Sequence, residues 1–576
     1  MISEAPNQNQ PRVLIVGIDA ATMDLIRPWA QAGQLPTFQR LFHDGASGLL
    51  RSVPNRNSAA AWTSMLTGRN PGKHGLFYFW EFRPGTLEID YVNGSRRVGP
   101  AVWNLLSQAG KHVGVMNVPM TFPAEEVNGF MISGMDAPGV HDPRFIYPPD
   151  LHEEIQREAG DYVIESGIAR YVKSEMFEKG AQALYHTTQV HLDTARYLMT
   201  NKPWDFFMTV FRVTDPAQHR FWKYMQPDGF RVSPADIERF GQVIPNVYKQ
   251  IDAAMGQLIE VAGPDTITFV VSDHGAMADT GRAMTLPRWL EAIGVMRRKQ
   301  TAANSRIRRL SQLGWTGFTR AYPLLDRFIS RRLKKRLSPM FRKLRSRNKS
   351  YMSFSDVDWA ATRAFSDGHR SEIWVNLKGR QPFGIVAPGQ EYKEVCECVT
   401  EKLYEARDAD SGKPLVQRVY HSDDVYHGPF GDRSPDLTVE WTKNVVAYRF
   451  NLGDGKTLAL HPTRGDNPGE QLICGEHDCM GILFMTGGPV RRGLDLKEAN
   501  IMDIAPTVLY LLGEPIPEDV DGGILFDVLD PDYVASHPSR TSCAATDGSA
   551  LSPTAGYSQE DEAIIEERLR GLGYIE

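Results

Sequence analysis

No stretch of the 576 residues approaches the roughly eighteen consecutive apolar residues that a bilayer-spanning helix needs. The opening residues, Met1 to Pro11, are polar and contain Asn-Gln-Asn-Gln, with no apolar core of the kind a secretion signal carries. Cysteine is scarce and odd in number: Cys396, Cys398, Cys474, Cys479 and Cys543. Cys396 and Cys398 are too close for an ordinary bridge, so the set predicts reduced thiols and a cytoplasmic protein. A nucleotide P-loop is missing as well. Gly68-Arg-Asn-Pro-Gly-Lys73-His74 is one residue short, has no Ser or Thr after Lys73, and follows a helical pattern rather than a strand. No internal repeat is present.

What remains is ordinary for a folded soluble chain, with 42% hydrophobic and 23% charged residues. At this length one simple core does not suffice, which implies a large domain with insertions or two domains. The formal net charge of −6 hides an asymmetry. Between Arg297 and Lys349 there are 18 Lys/Arg and one acidic residue, Asp326, leaving a net −23 on the rest. An acidic body therefore carries a basic insert.

From Pro11 to about Leu290 strand-like and helix-like runs alternate. Strands are predicted at Arg12–Ile18, His112–Asn117, Phe130–Ser133, Phe206–Val213 and Thr266–Val271. Helices are predicted around Thr22–Ala32, Thr37–His43, Ala101–Ala109, Pro149–Glu158, Glu175–Asn201 and Ile237–Ala262. The alternation implies an α/β fold, a central and mostly parallel sheet flanked by helices on both faces. Residues 294–350 break the rhythm, with apolar residues such as Leu310, Leu324, Leu333 and Phe341 at helical spacing among the basic ones; they read as an inserted helical cap. Strand signals return at Glu372–Leu377 and Asp436–Glu440 around a helix at Tyr392–Ala406, and the main sheet is expected to resume at Gly469–Cys474 and Gly481–Met485. The expected organisation is thus a disordered N-terminus over 1–10, the first part of the core over 11–293, the basic cap over 294–350, a smaller accessory α/β region over 351–465, the last part of the core over 466–530, and a linker with a C-terminal helix over 531–576. The Ser/Thr/Ala/Pro/Gly-rich stretch from Val534 to about Thr554 is the linker.

Four segments carry aspartate and histidine at metal-ligand spacings: Val13-Leu-Ile-Val-Gly-Ile-Asp19, Phe206 through Asp215 with His219 four residues on, Ile267-Thr-Phe-Val-Val-Ser-Asp273-His274, and Cys474-Gly-Glu-His477. An apolar β-branched run that ends in acidic residues reads as a buried parallel strand delivering ligands to its carboxyl end. Asp215 and His219 share one face of a first helical turn. Singly, Asp19 reads as a helix cap and Asp273-His274 as a loop pair; jointly, three aspartates and three histidines supply what a two-metal hydrolytic centre needs. Ser58 opens the helical stretch Ser58-Ala-Ala-Ala-Trp62-Thr-Ser-Met-Leu-Thr67, at or near its N-cap. Helix-terminal N–H groups there favour an alkoxide and an incoming phosphate, so Ser58 is either a cap or a nucleophile.

Taken in order, these motifs resemble the alkaline phosphatase superfamily, and within it the type I phosphodiesterase/nucleotide pyrophosphatase family. The resemblance runs from Pro11 to about Ile524. It is carried by Gly17-Ile-Asp19, by Ser58 nine residues before Thr67-Gly68, by Pro71-Gly-Lys-His-Gly75, Asn117-Val-Pro119, Asp215 with His219, Ser272-Asp-His-Gly275, His477 before Gly481, and Asp503-Ile-Ala-Pro-Thr507. It implies an alkaline-phosphatase-like fold and a phosphoester hydrolase with a covalent phospho-enzyme intermediate on Ser58. It implies two divalent metal ions, zinc or manganese, one held by Asp19, Asp273, His274 and Ser58 and the other by Asp215, His219 and His477. Three carboxylates against two divalent cations leave about one positive charge, which an alkoxide cancels.

Nucleotide pyrophosphatases place an asparagine four residues beyond the glycine that matches Gly75, to hold a phosphoryl oxygen. Phe79 stands there in this chain, leaving Asn57, Asn55 or Arg56 to substitute. The resemblance therefore implies a small-molecule phosphate ester, with diester preferred, and stops short of a nucleotide. The Cys-x-Pro-x-Arg motif of sulfatases is absent. Alternatives are a phosphomonoesterase, a phosphoryl transferase similar to cofactor-independent phosphoglycerate mutase, or a membrane- or nucleic-acid-binding protein with a vestigial site. The basic insert over 297–349 offers a contact for anionic surfaces; no obligate nucleic-acid partner is implied.

Overall fold

The computed structural model describes residues 11–299, 356–459, 474–544 and 556–572 with Phe354 and Tyr574, apart from a few single positions and short stretches inside those ranges. Eleven strands frame the region of interest: β1 (Val13–Ile18), β2 (Ala46–Arg51), β3 (Val113–Val118), β4 (Gly129–Ser133), β5 (Ile146–Tyr147), β6 (Phe206–Phe211), β7 (Ile267–Val271), β8 (Gly275–Ala278), β9 (Gly475–Asp478), β10 (Met480–Thr486) and β11 (Leu494–Asn500). Nine form the central sheet in the order β11-β2-β10-β7-β1-β6-β3-β4-β5. Only β10 and β5 run against the rest, so the sheet is mostly parallel. β8 and β9 pair antiparallel outside it.

The continuous apolar runs follow from two-sided burial. On β1, Leu14, Val16 and Ile18 pack with Ile26, Phe38, Ile251 and Leu258 on one face. Val13 and Ile15 pack with Trp62, Trp103, Val508 and Leu509 on the other. A strand covered on both faces has no polar side, which is why β1 and β7 show no alternation. Gly17 is the exception in size. A Cβ there would lie 2.6 Å from the Trp62 ring, so the glycine lets the helix Ser58–Thr67 close on β1 and bring Ser58 beside the strand's end.

A second, four-stranded antiparallel sheet is built from Ala364–Phe365, Glu372–Val375, Leu437–Trp441 and Val416–His421. The helix Gln390–Glu405 buries Val395, Val399 and Leu403 in the same apolar cluster. Among the described residues no helix is long and apolar enough to cross a membrane.

Several elements differ from expectation. The helix expected over Ile237–Ala262 is two helices, Pro234–Phe240 and Val243–Ala262. Pro245 falls in the first turn of the second, where its missing N–H leaves no bond unmade. Of the strand expected at Gly469–Cys474, residues 469–473 lie outside the described residues; the sheet is rejoined by β10, while β9 leaves to pair with β8. β2 and β11 were not expected at all. Part of the predicted linker is ordered: Pro531–Ser536 is helical, with the Asp530 carboxylate accepting the Asp532 N–H at 2.8 Å, and Thr541–Ser542 pairs with Ile516–Pro517. The helical cap lies outside the described residues from position 300 to 353.

Candidate active site

β7, β1 and β6 are adjacent and parallel, so their carboxyl ends open on one place. Asp19 follows β1 directly. Asp273 and His274 sit in the turn between β7 and β8. Asp215 and His219 ride on the first turns of the helix Thr214–Met225 that β6 feeds. His477 arrives from β9, whose register sets it opposite Ala276 of β8 and stacks its ring on His274 at 3.7 Å. Six side chains predicted from four distant segments thus meet at the end of the sheet where open α/β folds place their sites.

They meet as two groups. Asp19, Asp273 and His274 form one, and Asp215, His219 and His477 the other; within each, the nearest donor atoms lie within 4.8 Å of one another. In the first, Asp273 Oδ2 is 3.2 Å and Asp19 Oδ1 4.0 Å from His274 Nε2. Ser58 Oγ is 3.1 Å from the same nitrogen. In the second, Asp215 Oδ1 is 3.0 Å from His219 Nε2 and 3.2 Å from His477 Nε2.

The histidine rings are set by backbone carbonyls. Nδ1–H of His219 donates to Gly475 O at 2.6 Å, that of His477 to Arg56 O at 2.7 Å, and that of His274 to Gly275 O at 3.0 Å. With Nδ1 carrying the proton, each neutral imidazole presents the lone pair of Nε2 to the centre, the orientation metal-binding histidines adopt. His219 Nε2 and His477 Nε2 then face each other at 3.0 Å. Asp19 Oδ1, Asp215 Oδ2 and Asp273 Oδ2 are buried with no hydrogen-bond donor. Opposed lone pairs and orphaned carboxylate oxygens are costly unless a cation lies among them. The residues fit two divalent cations.

Charge tells the same story. Burial pushes Asp19 up to about 7 against the pull of Arg212. Burial and the charge of Asp19 push Asp273 well up too. Burial would also raise Asp215, but positive charge at the Nε2 side of His219 and His477 outweighs it and holds its carboxyl well below the usual range, with His219 raised in turn; a cation among those nitrogens would supply the same charge. Burial and the neighbouring His477 hold His274 neutral. A bound cation relieves the first group by stabilising both carboxylates.

Ser58 is fully buried and is the first residue of its helix; the cap itself is Asn57, whose Oδ1 accepts the Ala59 N–H at 3.1 Å. That releases the Ser58 hydroxyl from capping. Asn57, Asn55 and Arg56, expected as substrate donors, have protein partners here. Asn55 Nδ2 donates to Phe77 O at 2.8 Å and Arg56 Nη2 to Val439 O at 3.0 Å. Ala20 (φ 59°) and Arg56 (φ 47°) hold left-handed backbone beside Asp19 and Ser58, the kind of strain that gathers at functional sites.

Three neighbours escaped the sequence reading. Arg212, buried at the end of β6, donates Nε–H to Asp19 Oδ2 at 2.9 Å and pairs with Glu165, so this pair adds no net charge to the site. An arginine inside an apolar run three residues before Asp215 was its only signal. Gln218 Nε2 donates to Ala20 O at 2.9 Å and steadies the loop after Asp19. Tyr574 sets its hydroxyl 2.9 Å from Ser58 Oγ, and no motif pointed to it.

His74 is not a ligand. The Leu76 N–H donates to its Nδ1 at 3.2 Å, so Nε2 carries the proton and donates to Ser64 Oγ at 2.9 Å. Burial, with Arg97 and Arg69 nearby, lowers it to about 3. Such a group folds neutral while the unfolded chain takes up a proton below about pH 6.5. Its contribution is intact above that pH and is lost on acidification towards pH 3. Between pH 7 and 5 the wild type should therefore lose about 2 kcal/mol more stability than His74→Asn, read from urea unfolding. An equal loss in both would remove His74 from the account.

The family described as type I phosphodiesterase / nucleotide pyrophosphatase matches residues 13–465, a span that ends before His477 and the C-terminal helix. A search of curated proteins finds no match. Among solved structures, human ectonucleotide pyrophosphatase / phosphodiesterase 5 is similar at 13% identity and a TM-score of 0.45, over 90% of this chain and 99% of that one. An inactive form of the murine protein in complex with AMP is similar at 13% identity and 0.45, over 90% and 100%. Phosphonoacetate hydrolase from Sinorhizobium meliloti 1021, in complex with phosphonoformate, is similar at 14% and 0.48, over 87% and 95%.

Proposed function

We propose, from the premise that this chain is a phosphoester hydrolase belonging to the type I phosphodiesterase/nucleotide pyrophosphatase family, that it cleaves small phosphodiesters with Ser58 as nucleophile. The observation that carries the reading is the convergence of three inward-facing Nε2 atoms and three orphaned carboxylate oxygens beside a buried serine freed from capping.

Asp19, Asp273, His274 and Ser58 would hold one divalent cation, and Asp215, His219 and His477 the other. The mixed carboxylate and imidazole set suits zinc, and manganese accepts the same donors. When bound, the two ions supply neutralisation of the phosphoryl oxygens and a lower pKa for the Ser58 hydroxyl. Within that frame the chain's own residues do the following. Ser58 gives up its hydroxyl proton to solvent and its Oγ attacks phosphorus, forming a P–O bond as the ester oxygen departs and takes up a proton from solvent. Water then attacks the seryl phosphoester and restores the hydroxyl. The N-terminal end of the helix Ser58–Thr67 points its partial positive charge at the phosphoryl group throughout. Arg212 fixes the Asp19 carboxylate, and the three backbone carbonyls keep the histidines from rotating.

The test is an assay in excess zinc comparing bis(4-nitrophenyl) phosphate, 4-nitrophenyl phosphate and 4-nitrophenyl phenylphosphonate. The diester should turn over about tenfold or more faster than the monoester, chelation should abolish both, and added zinc should restore them. A monoester preference would replace the diesterase reading with a phosphatase, and activity that survives complete chelation would remove the metals from it.

A further inference from the structure

Among the described residues the active site is built from positions before 480 with one exception, which comes from the helix Gln559–Leu572 and the residues just after it. The C-terminal helix, Gln559–Leu572, buries Ile565, Leu569 and Leu572 against Ala59, Leu76, Phe79 and Met120. Ala59 is the residue after Ser58, so this helix packs directly on the turn that carries the nucleophile. Polar contacts hold both of its ends. Before it, Tyr557 Oη donates to Asp136 O at 2.6 Å and stacks on Phe122. Within it, Arg568 donates to the carbonyls of Met135, Ala137 and Pro138. At its end, Arg220, one residue after His219, donates to Gly571 O. Gly571 lies so near Ala169 that a Cβ there would be 2.3 Å from the Ala169 Cβ, so the helix end is seated closely. Such packing makes the helix a wall of the site.

What this wall delivers is Tyr574. Its hydroxyl is 2.9 Å from Ser58 Oγ, and its ring meets Phe79 edge-on at 5.0 Å and His477 at 6.0 Å. Phe79 is fully buried and has no hydrogen to donate. Asn55 Nδ2 and Arg56 Nη2 donate to the carbonyls of Phe77 and Val439, and Asn57 Oδ1 is taken by the helix cap. An oxyanion forming at Ser58 needs a positioned donor in a site shielded from water. A phenol is protonated at neutral pH and can supply one.

We propose that Tyr574 is a substrate-binding residue of this site, donating its hydroxyl hydrogen to a non-bridging oxygen of the phosphoryl group that Ser58 attacks. The inference rests on the hydrolase reading with Ser58 as nucleophile. The phenol keeps its proton throughout, and no bond to Tyr574 forms or breaks. Because the donor lies just beyond the helix Gln559–Leu572 and 516 residues from the nucleophile in sequence, the shape of the phosphoryl pocket depends on the docking of that helix.

The experiment is Tyr574→Phe in the full-length protein with excess zinc, which keeps the ring contact with Phe79 and removes only the hydroxyl. With bis(4-nitrophenyl) phosphate, kcat should fall about 10- to 100-fold while KM moves less than about threefold. Zinc content should be unchanged, and the affinity for orthovanadate, a mimic of five-coordinate phosphorus, should fall by a similar factor. Unchanged kcat and vanadate affinity would overturn the assignment. So would a rise in kcat, which would make Tyr574 a plug over Ser58. Ser58→Ala is run in parallel. If it loses turnover while Tyr574→Phe does not, the Tyr574 assignment alone fails; if Ser58→Ala retains turnover, the reading of Ser58 as nucleophile fails and takes Tyr574 with it.

Discussion

Ser58→Ala should lower phosphodiester turnover by about 10³-fold or more while most of the bound metal stays. The side chain is fully buried at the first turn of a helix whose cap, Asn57, is untouched, so alanine fits without a cavity and suits the helix. Asp19, Asp273 and His274 remain as three ligands of one group, and the Asp215, His219 and His477 group loses nothing. What disappears is the oxygen that would form the covalent ester. Residual turnover would come from direct attack by water at a site still arranged for phosphate. Acid quenching of the wild type during turnover should trap a phosphoryl adduct, found by intact mass and placed on the peptide containing Ser58. Turnover in the alanine variant within tenfold of wild type would exclude the nucleophile, and a metal loss as deep as the activity loss would make Ser58 chiefly a ligand.

Much of this candidate site was legible in the sequence because its carboxylates follow strands that advertise themselves. β1 and β7 are dominated by Val, Ile, Leu and Phe and buried on both faces, and Asp19 and Asp273 follow where those runs stop. Asp215 and His219 were legible from helical spacing. The elements that were not legible lacked such a signal. β2 reads Ala-Ser-Gly-Leu-Leu-Arg, small residues with little strand preference, and is a strand only because β10 and β11 pair with it. Gly48 packs so close to the Leu496 carbonyl that a side chain would not fit, a tertiary demand invisible in sequence. The break before Val243 did have a sign, Pro245, which periodicity masked. Tyr574 had none, since nothing local links a C-terminal tyrosine to Ser58.

Asp273→Asn should abolish turnover and yet stabilise the protein when metal is removed. Asp273 is fully buried, with Oδ1 accepting the Ala20 N–H at 3.2 Å and Oδ2 lacking a donor 3.2 Å from His274 Nε2. Burial and the neighbouring Asp19 carboxylate both oppose its charge. Asparagine keeps the acceptor for Ala20 and adds an N–H that can reach the lone pair of His274 or the orphaned oxygen of Asp19. The chain without metal should gain about 1–3 kcal/mol, the usual scale for removing an unsatisfied buried group. With zinc in excess the order should reverse. The wild type gains stability in proportion to its affinity, while the variant, short of one anionic ligand, gains little. Its turnover should fall at least about 10²-fold, since a lost ligand misplaces Ser58 as well as the charge it faces. Unfolding midpoints of both proteins in chelator and in zinc give the four values required. A lower midpoint for the variant in chelator would mean that the carboxylates are already well compensated by the protein, and that Arg212 and Ala20 carry more of the charge than the orphaned oxygens indicate. A crossing of the two pairs would mean that this fold holds strain at Asp273 for the sake of the metal.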